Sequence, residues 1–328
     1  MAQVKNRWRS QELVGKPVWA VDLHVHAKLT KADPFAPQLI TALLKRARKI
    51  GLNGLALAEH FHARDFWEIY ETLYRSFPCV EGTFRVGEDF FILAGGEVSL
   101  YEGHHLVVLA PPEHLFELDR SFPQPLSAGY RPCFPEFLER SRQAVAVVIV
   151  AHPFRRHPVL DPVVEFFLPQ CQAVELNGRD LNPLPRVLEP ARRLGLPVVA
   201  GSDAHHPWQL GTRATLLPAG SADFASVAAA INRGETGLAE LPAAKWRVGL
   251  TANYKRAVKT WRRAIALLRR EPEPVTSAGE ASRARGEPAP SNPAEVTANY
   301  GYSVPQPQAA EASGSRAPVG VSNGNSLY

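Results

Sequence analysis

Cysteine is scarce in this sequence: 328 residues hold three, Cys79, Cys133 and Cys171, scattered without Cys-x-x-Cys spacing. That argues against a disulfide framework and a thiolate zinc knuckle, and fits buried thiols in a reducing cytoplasm. Long apolar runs are missing too. None reaches the roughly 18–20 residues a membrane span needs, and basic, polar Met1–Ser10 leads into no apolar segment of the secretory type, so no membrane association is expected. Acid is absent from one segment: residues 245–270 hold nine Lys and Arg and no Asp or Glu, while 271–328 hold three basic and six acidic residues. The net charge of +5 therefore resides in that one segment, and residues 1–244 carry about −1.

What is present is an alternation of strand-like and helix-like patterns. Val18–His26 reads as a strand and Pro37–Ile50 as a helix, with Pro37 in its first turn and Gly51 after its end. Leu52–His60 is the next strand and Arg64–Tyr74 the next helix. Phe90–Leu100 and His105–Ala110 read as two strands with a short connection, which interrupts the alternation. A helix at Pro135–Arg142, strands at Val145–Pro153 and Ala173–Asn177, a helix at Pro185–Leu194, a strand at Pro197–Asp203 and a last pair near Arg213–Leu217 and Ala222–Arg233 follow. Continuous apolar runs such as Val145–Val150 suit strands buried on both faces of a parallel sheet. The expected class is α/β, as a (β/α) barrel or a doubly wound sheet. Residues 246–268 have the spacing of an amphipathic helix, expected to pack Tyr254, Trp261 and Ile265 on the main domain with a solvated basic face. Beyond 271 the chain is rich in Pro, Ser, Ala and Gly without apolar period, the composition of a disordered tail. The expected organisation is an extension at 1–17, a main domain at 18–240, a basic helix at 241–270 and a tail at 271–328.

His, Asp and Glu fall where strands end. His24 and His26, two apart, share one face of the first strand. Glu59 and His60 end the second, Glu97 the third, and His104 and His105 open the fourth. His152, then Glu175 and Asn177, then Asp203 and His205 end the following three. In parallel α/β folds these ends line one rim, where active sites are built. Carboxylates clustered alone repel one another, and clustered neutral imidazoles leave nitrogens unpaired; divalent cations satisfy both. Mixed nitrogen and oxygen donors without thiolate suit Zn, Mn or Fe. Such ions would polarise a phosphoryl oxygen and activate a water as nucleophile.

Asp22-Leu-His24-Val-His26, Glu59-His60, Gly-Gly-Glu97, His105 opening an apolar strand, Ala-His152-Pro, Glu175-Leu-Asn177 and Gly-Ser-Asp203-Ala-His205 resemble, in this order, the PHP (polymerase and histidinol phosphatase) domain. The resemblance runs from Val18 to Leu217. It implies a distorted seven-stranded (β/α) barrel with two or three divalent metals at the C-terminal rim, and hydrolysis of phosphoesters. It assigns His24, His26, Glu97 and Asp203 to one metal, Glu97, His105 and His152 to a second, and His60 and His205 to a third. Asp22, Glu59, Glu175 and Asn177 would orient these ligands. Two departures stand out. Glu59 occupies a position that is usually Asp, and the loop after the His pair, Ala-Lys-Leu-Thr-Lys-Ala-Asp-Pro, offers only Asp33 where the family commonly has a third-metal ligand, with His62 as the other candidate.

Arg155 and Arg156, just after His152, are candidates to bind a phosphate oxygen, and Arg179 is a weaker one. The leading expectation is a metal-dependent hydrolase of a phosphate mono- or diester, acting on a small phosphorylated molecule, a nucleotide or an oligonucleotide. Two alternatives stay open. One is a nucleic-acid-associated module that uses the basic helix at 255–270; the other is a metal-binding domain without catalysis.

Overall fold

In a computed structural model the described residues are 9–11, 17–155, 159–180, 185–241 and 244–268. All lie in a compact unit formed by residues 1–273. The expected tail at 271–328 and the candidate Arg156 fall outside the described residues.

The elements run β1 (Arg9–Gln11), β2 (Val18–Val25), α1 (Pro37–Ile50), β3 (Gly54–Leu57), α2 (Phe66–Ser76), β4 (Cys79–Val80), β5 (Thr83–Arg85), β6 (Phe91–Ser99), β7 (His105–Leu109), α3 (Pro112–Arg120) and α4 (Phe134–Gln143). They continue through β8 (Val147–Ala151), α5 (Pro162–Phe167), β9 (Ala173–Asn177), α6 (Pro185–Leu194), β10 (Val198–Gly201), β11 (Ala214–Pro218), α7 (Phe224–Asn232), β12 (Gly237–Glu240) and α8 (Ala244–Leu268). The sheet order is β1-β12-β11-β2-β3-β6-β7-β8-β9-β10. β2, β3 and β6 are parallel neighbours, as are β8, β9 and β10; β7 runs antiparallel between the two sets, and β11 is antiparallel to β2. The sheet curls into a nearly closed barrel of the PHP (β/α) type, and β10 comes round to β2 and β11.

One side chain seals that seam. Thr215 on β11 accepts from the Ala200 N–H through Oγ1 at 2.7 Å and donates back to the Ala200 carbonyl at 2.9 Å, so a hydroxyl does the work of a ladder pair. Above it His26 N–H donates to the Ala204 carbonyl at 2.8 Å, tying the end of β2 to the segment after β10. β3, β6, β8 and β9 are buried along their whole length, and α1 packs Ile40, Leu43, Leu44, Ala47 and Ile50 on the core. Gly51 stops α1 in the left-handed conformation, φ 85°.

Several boundaries differ from the sequence reading. Val145, expected to open a strand, has φ 50° in the turn after α4 and is 65% exposed, so β8 starts at Val147. Hydrophobicity alone does not separate a turn from the strand it feeds. The N-terminal extension supplies an edge strand, with Arg9 to Gln11 paired antiparallel to β12. The helix at the C-terminal end of the unit is continuous, and the Tyr254 ring meets His206 edge-on with centroids 5.6 Å apart, but the tryptophans of the helix are not packed. Val248 and Thr251 are buried, whereas Trp246 and Trp261 are 66% exposed and Tyr254 52%. No helix among the described residues is long and apolar enough to cross a membrane.

Candidate metal centre

β2 delivers His24 and His26 to one face, and β6, two strands away, delivers Glu97 to meet them. The close approach of backbone makes this possible. A Cβ on Gly96 would lie 2.3 Å from the Phe61 ring, and one on Gly201 would lie 2.5 Å from His24 Cβ, so neither position tolerates a side chain without displacing its neighbour. His152 and Asp203, just past β8 and β10, have φ of 34° and 52°. Non-glycine residues hold such backbone only where the surroundings impose it, at about 1–3 kcal/mol each.

Glu97 is the hub. Its carboxylate lies 3.6 Å from His24 Nε2, 3.4 Å from His26 Nε2, 2.9 Å from His60 Nδ1 and 3.1 Å from His152 Nε2, and it pairs with His105 Nδ1. Asp203 forms a second focus, 3.2 Å from His26 Nε2 and 3.5 Å from His205 Nε2. Three groups have donor atoms within 4.8 Å of one another: His24, His26 and Asp203; His26, His60 and Glu97; Glu97, His105 and His152. Each could hold a metal ion. Within them His24 Nε2, His26 Nε2 and His60 Nδ1 are buried without a hydrogen-bond partner. They are close to carboxylates but not directed as hydrogen bonds, an arrangement expensive for buried polar atoms and suited to a cation among them.

The outward nitrogens are tied back. Glu175 Oε1 lies 2.9 Å from His24 Nδ1, Glu59 Oε1 3.3 Å from His26 Nδ1, and the Lys28 carbonyl 3.0 Å from His205 Nδ1. Each pairing leaves Nε2 aimed inward, as metal-ligating histidines need. Glu175 also accepts from His152 N–H at 2.9 Å and from Asn177 Nδ2 at 3.0 Å. The Asp22 carboxylate is engaged by backbone. It accepts from the backbone N–H groups of Ser202 (2.8 Å), Gly211 (3.1 Å) and His24 (3.4 Å), so it joins the start of the cluster to the two loops that complete it.

Burial and charge oppose each other here. Burial alone would raise the Glu97 and Asp203 carboxyls, yet surrounding imidazoles hold Glu97, and Arg155 with His26 holds Asp203, well below the carboxylate range. Burial would depress His24, but Glu175 and Glu97 lift it well above its ordinary value. His60 goes the other way, pushed down to about 4 by burial despite Glu97. The carboxylates stay ionised and His60 stays neutral, as donors to a divalent metal must be, whereas His24 and His26, both raised, would have to give up a proton for Nε2 to bind one.

The eight residues assigned to metals by resemblance thus lie in one cluster. His105 faces Glu97, while His104 turns its Nε2 to Asp161 at 3.5 Å. Asp33 is elsewhere, accepting from Thr30 N–H at 3.0 Å within its own turn. Arg155 is spread over Asp203 (2.6 Å), Asn177 (2.8 Å) and Asp180 (3.0 Å), and Arg179 reaches Asp203 at 3.3 Å. A small pocket beside His105 and His152, lined also by His104, Pro153 and Arg155, opens the cluster to solvent. Lys28, Lys31 and Asp180 were not singled out by sequence. The lysines lie in a loop whose polarity suggests solvent, and no spacing rule signals that its backbone folds back over the rim.

A family model described as PHP-associated matches residues 184–236. No curated protein matches the sequence. Among solved structures, PsfC from Pseudomonas syringae PB-5123 is similar with a TM-score of 0.59 and 21% identity, over 74% of this chain and 99% of that one. PfuEndoQ from Pyrococcus furiosus, described as a lesion-specific endonuclease, matches with a TM-score of 0.53 and 18% identity, over 66% of this chain and 56% of its own. Endonuclease Q in complex with a 27-mer duplex carrying an abasic lesion at the active site gives 0.53 and 19%, over 66% and 57%. The chain therefore spans little more than half the length of the endonuclease Q structures. A two-domain protein from Bacteroides vulgatus containing a predicted PHP-like metal-dependent phosphoesterase matches with a TM-score of 0.48 and 15% identity, over 72% and 68%. The order of the His, Glu and Asp motifs, the nearly closed barrel and the PHP-associated match agree, and the chain is recognised as having the PHP-type fold.

Proposed function

We propose that the chain is a metal-dependent phosphoesterase whose catalytic unit is 18–240. The observation that carries this is Glu97, a buried carboxylate with five imidazoles within 3.6 Å, three of whose nearby ring nitrogens (His24 Nε2, His26 Nε2, His60 Nδ1) have no hydrogen-bond partner. His24, His26, Glu97 and Asp203 would hold one divalent ion, Glu97, His105 and His152 a second, with His60 and His205 completing the rim; Zn, Mn and Fe suit these donors. Bound there, such ions supply Lewis acidity toward a phosphoryl oxygen and make water acidic enough to attack at neutral pH. The chain's own part is to fix the donors through Glu175, Glu59 and the Lys28 carbonyl, and to keep the carboxylates ionised. Arg155 lines the pocket with its guanidinium held by Asp203, Asn177 and Asp180, and an anionic ester would compete with those acceptors for it. A reducing compartment such as the cytoplasm suits the three free thiols.

Metal analysis of the purified protein, followed by a screen of mono- and diester phosphates with each metal restored, tests the reading. His24→Ala combined with His26→Ala should abolish turnover and lower metal content. Unchanged hydrolysis of an aryl phosphate by that variant would refute the mechanism, and full metal load without turnover on any ester would favour a non-catalytic metal-binding domain.

A second reading, nucleic acid as substrate or partner, is supported by the fold shared with endonuclease Q and by the exposed Trp246, Tyr254 and Trp261 on a basic helix. Aromatic faces and cationic side chains together suit single strands. Replacing these three aromatics by Ala should release the protein from a low-salt oligonucleotide column; equal retention would remove the helix from consideration.

A further inference from the structure

The two oxygens of Asp203 are put to different uses. Oδ1 faces the imidazoles, 3.2 Å from His26 Nε2 and 3.5 Å from His205 Nε2, with Arg179 Nη1 at 3.3 Å beside them. Oδ2 accepts from Arg155 Nη2 at 2.6 Å. The same Nη2 donates to Asn177 Oδ1 at 2.8 Å, and Arg155 Nε donates to Asp180 Oδ1 at 3.0 Å, so three acceptors fix the planar guanidinium. The backbone of Arg155 is fixed as well. Its N–H donates to the His152 carbonyl at 3.0 Å and closes the turn in which His152 holds φ 34°. Asn177 carries the brace onward, since its Nδ2 donates to Glu175 Oε2 while Glu175 Oε1 holds His24 Nδ1. Arg155 therefore ties together the ends of β8, β9 and β10, which deliver His152, Asn177 and Asp203. Asp203 needs a hold of this kind, because its φ of 52° is backbone that a non-glycine residue keeps only under constraint.

We propose that Arg155 is a positioning residue for the metal centre: by engaging Asp203 Oδ2 it presents Oδ1 as a one-oxygen donor to the ion that His24, His26 and Asp203 could hold. The proposal rests on the reading of the cluster as a divalent metal centre, and it gives Arg155 to a metal donor where the sequence suggested a phosphate contact. A carboxylate can meet a cation through one oxygen or both, and a guanidinium on one of them leaves the other. To meet an ester instead, Arg155 would have to leave charge-assisted bonds already made, one of them to a buried carboxylate. Removing the guanidinium has two effects of opposite sign. Loss of a nearby positive charge favours a cation beside Asp203, whereas loss of the brace lets the carboxylate turn away and disfavours it. Positioning requires the second effect to win.

The test is calorimetric titration of the metal-free full chain with zinc or manganese salts, for wild type, Arg155→Met, Arg155→Lys and Asp180→Ala. Inorganic phosphate is then titrated into each metal-saturated protein. Asp180→Ala removes one point of the brace and keeps the Arg155–Asp203 pair, so it decides the matter if Arg155→Met does not fold. Arg155→Met should weaken one class of metal site by about 10- to 100-fold and leave the other within about twofold, because the backbone bond to His152 survives the substitution. Arg155→Lys should recover part of the loss, since an ammonium can hold Oδ2 but cannot span three acceptors in one plane. Asp180→Ala should weaken the same site by less than Arg155→Met does. Phosphate affinity at saturating metal should stay within about threefold of wild type. Metal affinity equal to or tighter than wild type in Arg155→Met, or in Asp180→Ala where that variant has to serve, would overturn the proposal. So would a phosphate loss of about 10-fold or more at unchanged metal affinity, which would make Arg155 the ester contact. A wild-type chain that takes up no divalent ion refutes the metal-centre reading itself, and the proposal with it.

Discussion

At the scale of single residues, the fully buried Asp22 shows how much a polar side chain can hold together. Burial lifts its carboxyl to about 6, against the opposing pull of its bonds to Ser202, Gly211 and His24. Both oxygens accept from backbone N–H groups. Asp22→Asn keeps the shape but turns an amide NH2 toward one of those donors, so it should lower unfolding free energy by about 1–3 kcal/mol in a urea titration. A loss no larger than a surface substitution gives would mean that the loops are held by other contacts. The identity of the residue was legible in Asp-x-His-x-His, but its partners were not, since Ser202 and Gly211 are 180 and 189 residues away.

At the scale of elements, the seam of the barrel is the vulnerable join. Thr215→Val conserves volume and removes both bonds to Ala200, leaving a buried N–H and carbonyl without their partner; a loss of about 1–3 kcal/mol is expected by thermal or urea melting. Gly201→Ala tests how β10 positions the ligands. Its Cβ would lie 2.5 Å from His24 Cβ and 2.7 Å from His24 N, so the His24 backbone must move and metal content should fall, with the far-ultraviolet spectrum retained. Full metal content in that variant would show that the sheet yields there at no cost to the centre. The strands that carry these residues are readable from apolar runs, though the pairing is not: the short connection at 100–104 accounts for β7 running antiparallel to β6, but its antiparallel pairing with β8 across the segment holding α3 and α4 is a tertiary outcome. α3 and α5 are hard to tell from turns in sequence, since each is short and opens on Pro.

At the scale of the whole molecule, the cluster is a store of electrostatic cost that bound cations would relieve. Any ligand that binds the native state alone adds stability in proportion to the logarithm of its saturation. Chelation should therefore lower Tm measurably and re-addition of one suitable divalent metal restore it; an unchanged Tm over saturating chelator and metal would argue that the donors hold nothing. The thiols report the same transition. Burial pushes Cys171 up to about 12 and raises Cys133, so both should react with a thiol reagent only as the unit unfolds, whereas half-buried Cys79 should react first.

The sequence by itself determined the order of elements and the kinds of donor at their ends, because strand alternation, helix period and capping are local properties. His24 and His26 share a face for that reason alone. Only the tertiary structure decided that Glu97 is the common neighbour of five histidines, that His105 rather than His104 faces it, that Glu175 sets the His24 ring from 151 residues away, and that Arg155 is held by Asp203, Asn177 and Asp180. Closing a curled sheet brings distant strand ends within bonding range, and that closure is fixed by packing and twist, which no local pattern encodes.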